Sequence, residues 1–239
     1  MKKLIFGYGA TGKSVEAYFQ KNNIKYFIYD DDKEKKISKN QKFKDTNIEE
    51  IDEIIISPGI KPTHDLLNKI NSLGKAVKTD IDLFNENYKG KLIGVTGTNG
   101  KTTLVTLLSN FLNSQGIKAV AVGNVGRSPL EVIGKEFEYV IIELSSYQLY
   151  YLNNLDLNIG IILNIHQDHL DWHKNFSEYL DSKKKIKDFI KNGDHSIKSN
   201  NFIGTLKPGE INSNLYKEIK DKSTFFDNTV DIFMQLLKN

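Results

Sequence analysis

The chain has 239 residues, which allows one large domain or two small ones. Its formal net charge is +3, and nearly all of its positive charges are lysines, with Arg127 as the single arginine. This composition argues against nucleic acid as the main partner, because phosphate-reading surfaces usually concentrate arginine, and the lack of cysteine excludes disulfide bonds and cysteine-ligated metals. No apolar run approaches the ~18 residues of a membrane span, so we expect a cytoplasmic protein without a membrane partner.

The first part of the chain alternates strand-like and helical segments, a pattern typical of parallel α/β layers. In chain order, the predicted elements are a strand at 4–6, a helix from about 14 to 22, strands at 26–29 and 54–56, and a helix at 65–72. Residues 1–88 are therefore predicted to form a Rossmann-like domain on a parallel sheet.

The second part, residues 89–239, begins with a strand at 91–96 and a glycine-rich loop. The predicted elements after the loop are a helix at 102–114, strands at 119–122, 139–144 and 159–165, and a helix at 176–190. Strands that are apolar on both faces indicate a buried parallel sheet, here of the P-loop NTPase-like kind. From about residue 193 the pattern weakens, and only an amphipathic piece at 230–237 stands out.

The first glycine-rich stretch, GYGATG at 7–12, follows a strand and opens a helix. Asp30 lies 18 positions beyond Gly12, at the end of the next strand. This context predicts a nucleotide whose phosphates lie on a helix N-terminus, as NAD or another nucleotide-bearing molecule would. The alternative is a tight turn that needs its glycines for geometry alone.

The second glycine-rich stretch, GVTGTNGKTTL at 94–104, predicts a phosphate loop. It offers backbone N–H groups around phosphates, Lys101 for the β/γ oxygens and the Thr102 hydroxyl for Mg²⁺. It departs from G-x-x-x-x-G-K-[ST] at Val95, where the pattern has glycine. Glu143, at the end of another apolar strand, is a candidate second Mg²⁺ ligand or else a surface carboxylate.

Two further residue types are unexpected in a purely structural interpretation. Three of the five histidines follow the strand 159–165, at the sheet edge where ligands bind, and His169 is the candidate among them. Lys183 lies within the apolar stripe of the helix 176–190, where it either snorkels to solvent or serves the site. The other members of the stripe are Phe176, Tyr179, Leu180, Ile186 and Ile190.

Three motifs together closely resemble those of the Mur ligases: TGTNGKTT at 96–103, ELSSYQL at 143–149 and NIHQDHLD at 164–171. The resemblance covers roughly residues 1 to 190. ELSSYQL resembles in particular the members that add D-glutamate to UDP-N-acetylmuramoyl-L-alanine. The alternatives are another Mur-type amide ligase, such as a lipid II amidating subunit or a glutamate ligase acting on folate, and a non-catalytic nucleotide-binding protein.

The resemblance implies that the first domain binds the UDP part of the substrate and not NAD. The residues it assigns to the substrate are Ala10, Thr11, Asp30, Asp31, Gly59, Asn124 and His169. The residues it assigns to ATP are Gly97, Thr98, Asn99, Gly100, Lys101, Thr102 and Thr103.

The implied reaction is ATP-driven amide formation through an acyl phosphate. Lys101, Glu143, His169 and Lys183 are matched to catalysis, and Mg²⁺ ions neutralise charge as a carboxylate attacks a polyanion. Thr102 and Glu143 are matched to a first metal, and His169 to a second. Lys183 is matched to a lysine that family members carry as a carbamate, which supplies oxygen ligands to a hard cation.

The C-terminal part departs from the family pattern. Mur ligases have a third domain that holds the incoming amino acid, and we find no counterpart of it before Asn239. We expect either a fragment of a longer ligase or a short form that binds substrates without joining them, and we expect a monomer.

Overall fold

The computed structural model describes residues 2–124 and 126–198, with side chains as far as Ile190. By internal contacts the chain divides into two compact units, and each is described by itself. The first contains residues 1–89, 122–136 and 146–156, and the second contains 90–121, 137–145 and 157–239. The two later segments of the first unit are separated from its main part along the chain.

The strands and helices of the described residues follow the predicted alternation. The strands are β1 Lys2–Phe6, β2 Tyr26–Tyr29, β3 Ile51–Ile56, β4 Ala76–Lys78, β5 Lys91–Thr96, β6 Ala119–Gly123, β7 Tyr139–Glu143, β8 Leu157–Ile162 and β9 Ile190–Lys198. The helices are α1 Ala10–Lys21, α2 Asp65–Ser72, α3 Asp80–Asn87, α4 Lys101–Ser114, α5 Ser146–Tyr151 and α6 Phe176–Lys184.

The first unit is built on a parallel sheet of strand order β2-β1-β3-β4. Its core consists of side chains that the strands and α2 bury, among them Leu4, Phe6, Phe27, Ile54 and Ile56. The order places the carboxyl ends of β1 and β3 side by side, where the strand connections diverge and where open α/β sheets bind ligands.

The turn after β1 requires its glycines. Gly7 has a φ of +92°, and a Cβ there would lie 2.7 Å from the Cβ of Ser57, which follows β3. A Cβ on Gly12 would lie 2.1 Å from the carbonyl oxygen of Gly7. The chain can therefore turn from β1 into α1 close to the end of β3 only because both side chains are absent.

Helix α3 begins with two buried carboxylates in contrasting environments. Asp82 forms a capping box with Thr79 and also accepts hydrogen bonds from the N–H groups of Asn153 and Asn154, each at 2.9 Å. Asp80 is 3% exposed, and its Oδ1 has no hydrogen-bond partner among the described residues. Burial raises the pKa of Asp80 from 3.8 to about 6.

The second unit is a parallel sheet of order β6-β7-β5-β8-β9, and α4 contributes Leu104, Val105 and Leu108 to its core. All strand pairs with a described register are parallel. The fold is therefore α/β with two parallel sheets, as the alternation of elements predicts.

The predicted helix over 176–190 is wrong in its second half. Helix α6 ends at Lys184, a 3₁₀ turn follows over Lys185–Phe189, and β9 begins at Ile190. The chain instead enters the sheet, where Ile190 pairs with Leu157 of β8, and the buried side chain of Ile186 packs over two glycines. A Cβ on Gly94 would lie 3.2 Å from Ile186 Cδ1, and one on Gly160 would lie 3.7 Å from its Cγ1.

Smaller differences concern element ends. Strand β8 runs over Leu157–Ile162 and not 159–165, although the backbone of Leu163 and Asn164 still bonds to Thr96 and Thr98. Helix α1 begins at Ala10, four residues before the predicted start. The amphipathic piece predicted at 230–237 lies outside the described residues.

Candidate functional site

The predicted phosphate loop lies between β5 and α4. Gly100, the N-cap of α4, has a left-handed φ of +82°, a conformation that favours glycine. The first N–H that bonds within α4 is that of Leu104, which donates to the Gly100 carbonyl at 3.0 Å. The preceding N–H groups, of Lys101, Thr102 and Thr103, lack an intrahelical acceptor and form the kind of helix terminus that binds phosphate.

The two predicted ligands of the first metal lie in direct contact. The register of β5 with β7 pairs Val95 with Glu143, so the carboxyl end of β7 lies beside the start of the loop. Thr102 Oγ1 donates a hydrogen bond of 2.9 Å to Glu143 Oε2, and Glu143 is 1% exposed. A hydroxyl and a carboxylate are thus held together next to the N-terminus of α4.

The side-chain oxygens of Thr102 and Glu143 suit a Mg²⁺ ion that is bound together with a nucleotide. Among the described side chains no group of three or more histidines and carboxylates could hold a metal ion. Mg²⁺ is commonly bound by one or two carboxylates together with substrate phosphates and water, and does not need a cage made entirely of protein. Glu143 and Thr102 are the residues that would hold it.

Two lysines converge on one carbonyl of the loop. Lys183 Nζ donates to the Gly97 carbonyl at 2.8 Å, and Lys101 Nζ donates to the same oxygen and to the Thr98 carbonyl, both at 2.9 Å. Lys183 is 2% exposed, so it does not snorkel to solvent.

This environment disfavours the charged form of Lys183. Burial and the nearby charge of Lys101 lower its pKa to about 7, against the opposing influence of Asp168 and Glu143. Burial also lowers the pKa of Lys101, whereas Glu143 and Asp168 raise it. Lys183 is therefore a buried amine that can lose its proton near neutral pH.

Tyr179, one helical turn before Lys183, connects α6 to the loop. Its hydroxyl lies 2.7 Å from Thr98 Oγ1, and its ring lies 4.8 Å from Lys183 Nζ. The Thr98 hydroxyl also accepts the N–H of His166 at 3.0 Å. The sequence pattern identifies Tyr179 only as part of an apolar stripe, and nothing in the pattern reveals its polar contact.

Asn164, in the segment after β8, is a second residue whose contact with the loop the sequence motifs do not reveal. Its carbonyl accepts the N–H of Thr98 at 2.9 Å. Its side-chain Oδ1 accepts the N–H of Asn99 at 2.9 Å, and its Nδ2 donates to the Asn99 carbonyl at 3.1 Å. Two N–H groups that the motif offers to phosphate are therefore already bonded within the protein.

His169 lies at the same edge of the sheet. Its φ is +54°, and its side chain is 44% exposed. The centroid of its ring lies 6.3 Å from that of Tyr179. The next histidine, His173, is 1% exposed and packs against Trp172 and Tyr179, so it belongs to the packing beneath the site.

The candidate substrate residues of the first unit follow different strands. Ala10 and Thr11 lie at the start of α1, and Gly59 is exposed in the turn after β3. Asn124 is exposed after β6.

The two candidate aspartates point to different partners. Asp30 accepts the N–H of Tyr8 in the glycine-rich turn, whereas Asp31 faces His64, the N-cap of α2, whose Nε2 lies 3.0 and 3.1 Å from its two oxygens. The Tyr29 hydroxyl also donates to Asp31 at 3.0 Å. Burial, the largest single influence, raises the pKa of Asp31, but the hydrogen bonds from His64 and Tyr29 and the electrostatic attraction of His64 together outweigh it and lower the pKa below its ordinary value.

A Rossmann-like sheet in one unit and a phosphate loop in the other define a nucleotide-binding α/β protein. Comparison with protein families gives this class a name. The family model of the Mur ligase middle domain matches residues 95–203, and that of the Mur ligase MurD-like N-terminal domain matches residues 1–79. The chain belongs to the Mur ligase family, and its N-terminal part is of the MurD-like type.

Curated relatives agree with this assignment. The UDP-N-acetylmuramoylalanine--D-glutamate ligase of Francisella philomiragia is 38% identical over 196 residues, covering 80% of this chain and 45% of the relative. The enzyme of the same name from Buchnera aphidicola is 38% identical over 195 residues, covering 77% and 44%. The chain thus spans about half the length of the curated relatives it matches.

A solved structure shows the same fold. The UDP-N-acetylmuramate:L-alanyl-gamma-D-glutamyl-meso-diaminopimelate ligase from Neisseria meningitides aligns with a TM-score of 0.53 and 17% identity, covering 94% of this chain and 76% of that one.

None of the helices in the described part of the chain has the length and apolar character needed to cross a membrane.

Proposed function

We propose that this chain carries the substrate-binding and ATP-binding parts of a ligase that adds D-glutamate to UDP-N-acetylmuramoyl-L-alanine. Members of its family are ATP-dependent amide ligases of peptidoglycan precursor synthesis. The observation that carries the proposal is the convergence of Lys101, Thr102, Glu143 and Lys183 on one phosphate loop.

In the proposed reaction, the terminal alanine carboxylate of the substrate attacks the γ-phosphorus of ATP. The bond to the β–γ bridging oxygen breaks, ADP leaves, and an acyl phosphate forms. The amine of D-glutamate then attacks the acyl carbon, loses a proton, and inorganic phosphate leaves as the amide forms.

The loop residues suit the first step electrostatically. When ATP binds, the Lys101 ammonium gives up its hydrogen bonds to the carbonyls of Gly97 and Thr98 and donates to the β- and γ-phosphate oxygens. The N–H groups in the first turn of α4 bind the same polyanion. Thr102 and Glu143 would hold a bound Mg²⁺, which would neutralise further phosphate charge. Since the reacting groups are both anions, this neutralisation is what allows them to approach.

Lys183 serves the site as a carbamate in this proposal. Carbon dioxide reacts with a neutral amine, and the lowered pKa of Lys183 makes that form available near pH 7. The product carries a negative charge and two oxygens, which can accept hydrogen bonds or bind a hard cation. The buried side chain then carries a charge opposite to that of Lys101.

The first unit holds the UDP part of the substrate in this proposal. Ala10 and Thr11, at the N-terminus of α1, are suited to the nucleotide, and Gly59 presents an exposed backbone without a side chain. Asp30, bonded to the glycine-rich turn, and Asp31 offer carboxylate acceptors to the N–H and hydroxyl donors of uridine. Asn124 contacts the muramoyl part, and His169 lies near the transferred phosphate.

The test is phosphate release from ATP by the complete gene product. Release is expected to require both UDP-N-acetylmuramoyl-L-alanine and D-glutamate, to be abolished by Lys101→Ala, and to persist in Lys91→Ala, a control on the exposed start of β5. Equal release without either substrate would refute the proposal. Activity with another acceptor only would indicate a different Mur-type ligase, and binding without turnover would indicate a nucleotide-binding form.

A further inference from the structure

The side chain of Asn164 pairs at two points with the backbone of one residue of the phosphate loop, Asn99. Its Oδ1 accepts the N–H of Asn99 at 2.9 Å, while its Nδ2 donates to the carbonyl of the same residue at 3.1 Å. The backbone carbonyl of Asn164 accepts the N–H of Thr98 at 2.9 Å, and the N–H of Leu163 donates to Thr96 at 2.9 Å. The primary amide thus continues, by one more residue, the ladder that joins β5 to β8.

This pairing determines which N–H groups of the loop can face a phosphate. Those of Thr98 and Asn99 are committed to Asn164, so beyond them the loop offers the ligand the N–H groups from Gly100 into the first turn of α4. The Asn99 peptide directly precedes Gly100, whose left-handed φ of +82° turns the chain into the helix. Holding that peptide therefore sets the direction in which α4 begins.

We propose that Asn164 is a positioning residue for nucleotide binding, which holds the phosphate loop in its binding conformation before ATP arrives. The inference rests on the proposed ATP site, which it deepens. Because an Asn99 peptide released from this pairing gains conformational freedom, ATP has to order the loop on binding and its affinity falls. Asn164 does this without contacting the nucleotide.

The chain provides a matched control in β8, the strand that precedes Asn164. Asn158 Oδ1 accepts the N–H of Leu92 at 2.9 Å, near the opposite end of β5 from the loop. Asn158→Ala therefore removes a side-chain amide that bonds the same neighbouring strand, but leaves the loop untouched. Asn164→Ala and Asn158→Ala are compared with the unchanged chain by calorimetric titration with ATP and Mg²⁺, and by titration with UDP-N-acetylmuramoyl-L-alanine.

Asn164→Ala is expected to weaken ATP binding on the order of tenfold, the equivalent of about 1.4 kcal/mol, and to leave binding of the UDP substrate unchanged. Asn158→Ala is expected to leave both affinities unchanged. Equal ATP affinity in Asn164→Ala and the unchanged chain would overturn the inference, as would an equal loss in Asn158→Ala. Failure of the unchanged chain to bind ATP would instead overturn the proposed function.

A third variant separates pairing from mere side-chain size. Asn164→Asp keeps an oxygen for the Asn99 N–H but replaces the donating Nδ2 with a second oxygen that faces the Asn99 carbonyl. It is expected to bind ATP at least as weakly as Asn164→Ala. If Asn164→Asp binds ATP as tightly as the unchanged chain, the two-point pairing is not what organises the loop.

Discussion

Because the carboxyl group of Asp80 is buried, we expect that replacing Asp80 by asparagine stabilises the protein, and that the gain depends on pH. A carboxyl whose pKa rises from 3.8 to about 6 on folding binds more protons in the folded than in the unfolded chain within that window. The free energy of unfolding therefore falls as the pH rises through it, and above pH 6 the ionised group costs the folded state about 3 kcal/mol. Asp80→Asn is expected to recover most of that amount at pH 7.5 and almost none at pH 3.5.

Asp82, two residues further along α3, is the matched control. Its carboxylate accepts five hydrogen bonds, from the backbone of Thr79, Asn153 and Asn154 and from the side chains of Thr79 and Asn153. In Asp82→Asn an NH₂ group replaces one acceptor oxygen and faces buried donors, each of which costs about 1–3 kcal/mol when unpaired. This variant is expected to be less stable than the unchanged chain at pH 7.5.

The measurement is urea denaturation followed by circular dichroism at both pH values. A destabilised Asp80→Asn at pH 7.5, or a stability difference that does not change with pH, would refute the reasoning. Either result would mean that the unpaired Oδ1 of Asp80 is hydrated or that its charge is stabilised by the N-terminus of α3.

Three further outcomes concern the nucleotide site. Glu143→Gln keeps the acceptor for Thr102 but removes the charge, so ATP binding is expected to lose most of its dependence on Mg²⁺ in calorimetric titrations, and unchanged dependence would exclude Glu143 as a ligand. Carbon-13 NMR with labelled bicarbonate at pH 7.5 is expected to show a carbamate signal that Lys183→Met removes, whereas a signal that survives the substitution would belong to another amine. Tyr179→Phe loses the hydrogen bond to Thr98 and is expected to lower the free energy of unfolding by about 1 kcal/mol in urea titrations, and no change would indicate that water replaces the hydroxyl.

Much of the fold follows from local sequence patterns. The apolar runs at 26–29 and 91–96 coincide with β2 and β5, and the helix predicted at 65–72 coincides with α2. The burial of Lys183 also agrees with its position in an apolar stripe, although Phe176 of the same stripe is 38% exposed. These features depend on the periodicity of neighbouring residues, which the sequence displays directly.

The rest depends on contacts between distant residues. The pairing of Asn164 with Asn99 joins positions 65 apart and requires the register of β5 with β8. Helix α3 is short and polar, and its start is fixed by Asp82, which also bonds the backbone of Asn153 and Asn154 far along the chain. Neither arrangement has a periodic signature, so single-sequence patterns could not predict them.

The glycines beneath Ile186 mean that the geometry of Lys183 can be adjusted from outside the site. Ile186 follows Lys183 by three residues, and its depth in the sheet is set by the missing side chains of Gly94 and Gly160. A methyl group added to Gly94 would lie 2.7 Å from Leu157 Cδ1 and 3.2 Å from Ile186 Cδ1, so it would press on the 3₁₀ turn that follows Lys183, whereas one added to Gly160 would meet Ile190 first, at 2.8 Å. Uncharged core residues near Gly94 can therefore influence the position of the buried amine at the phosphate loop.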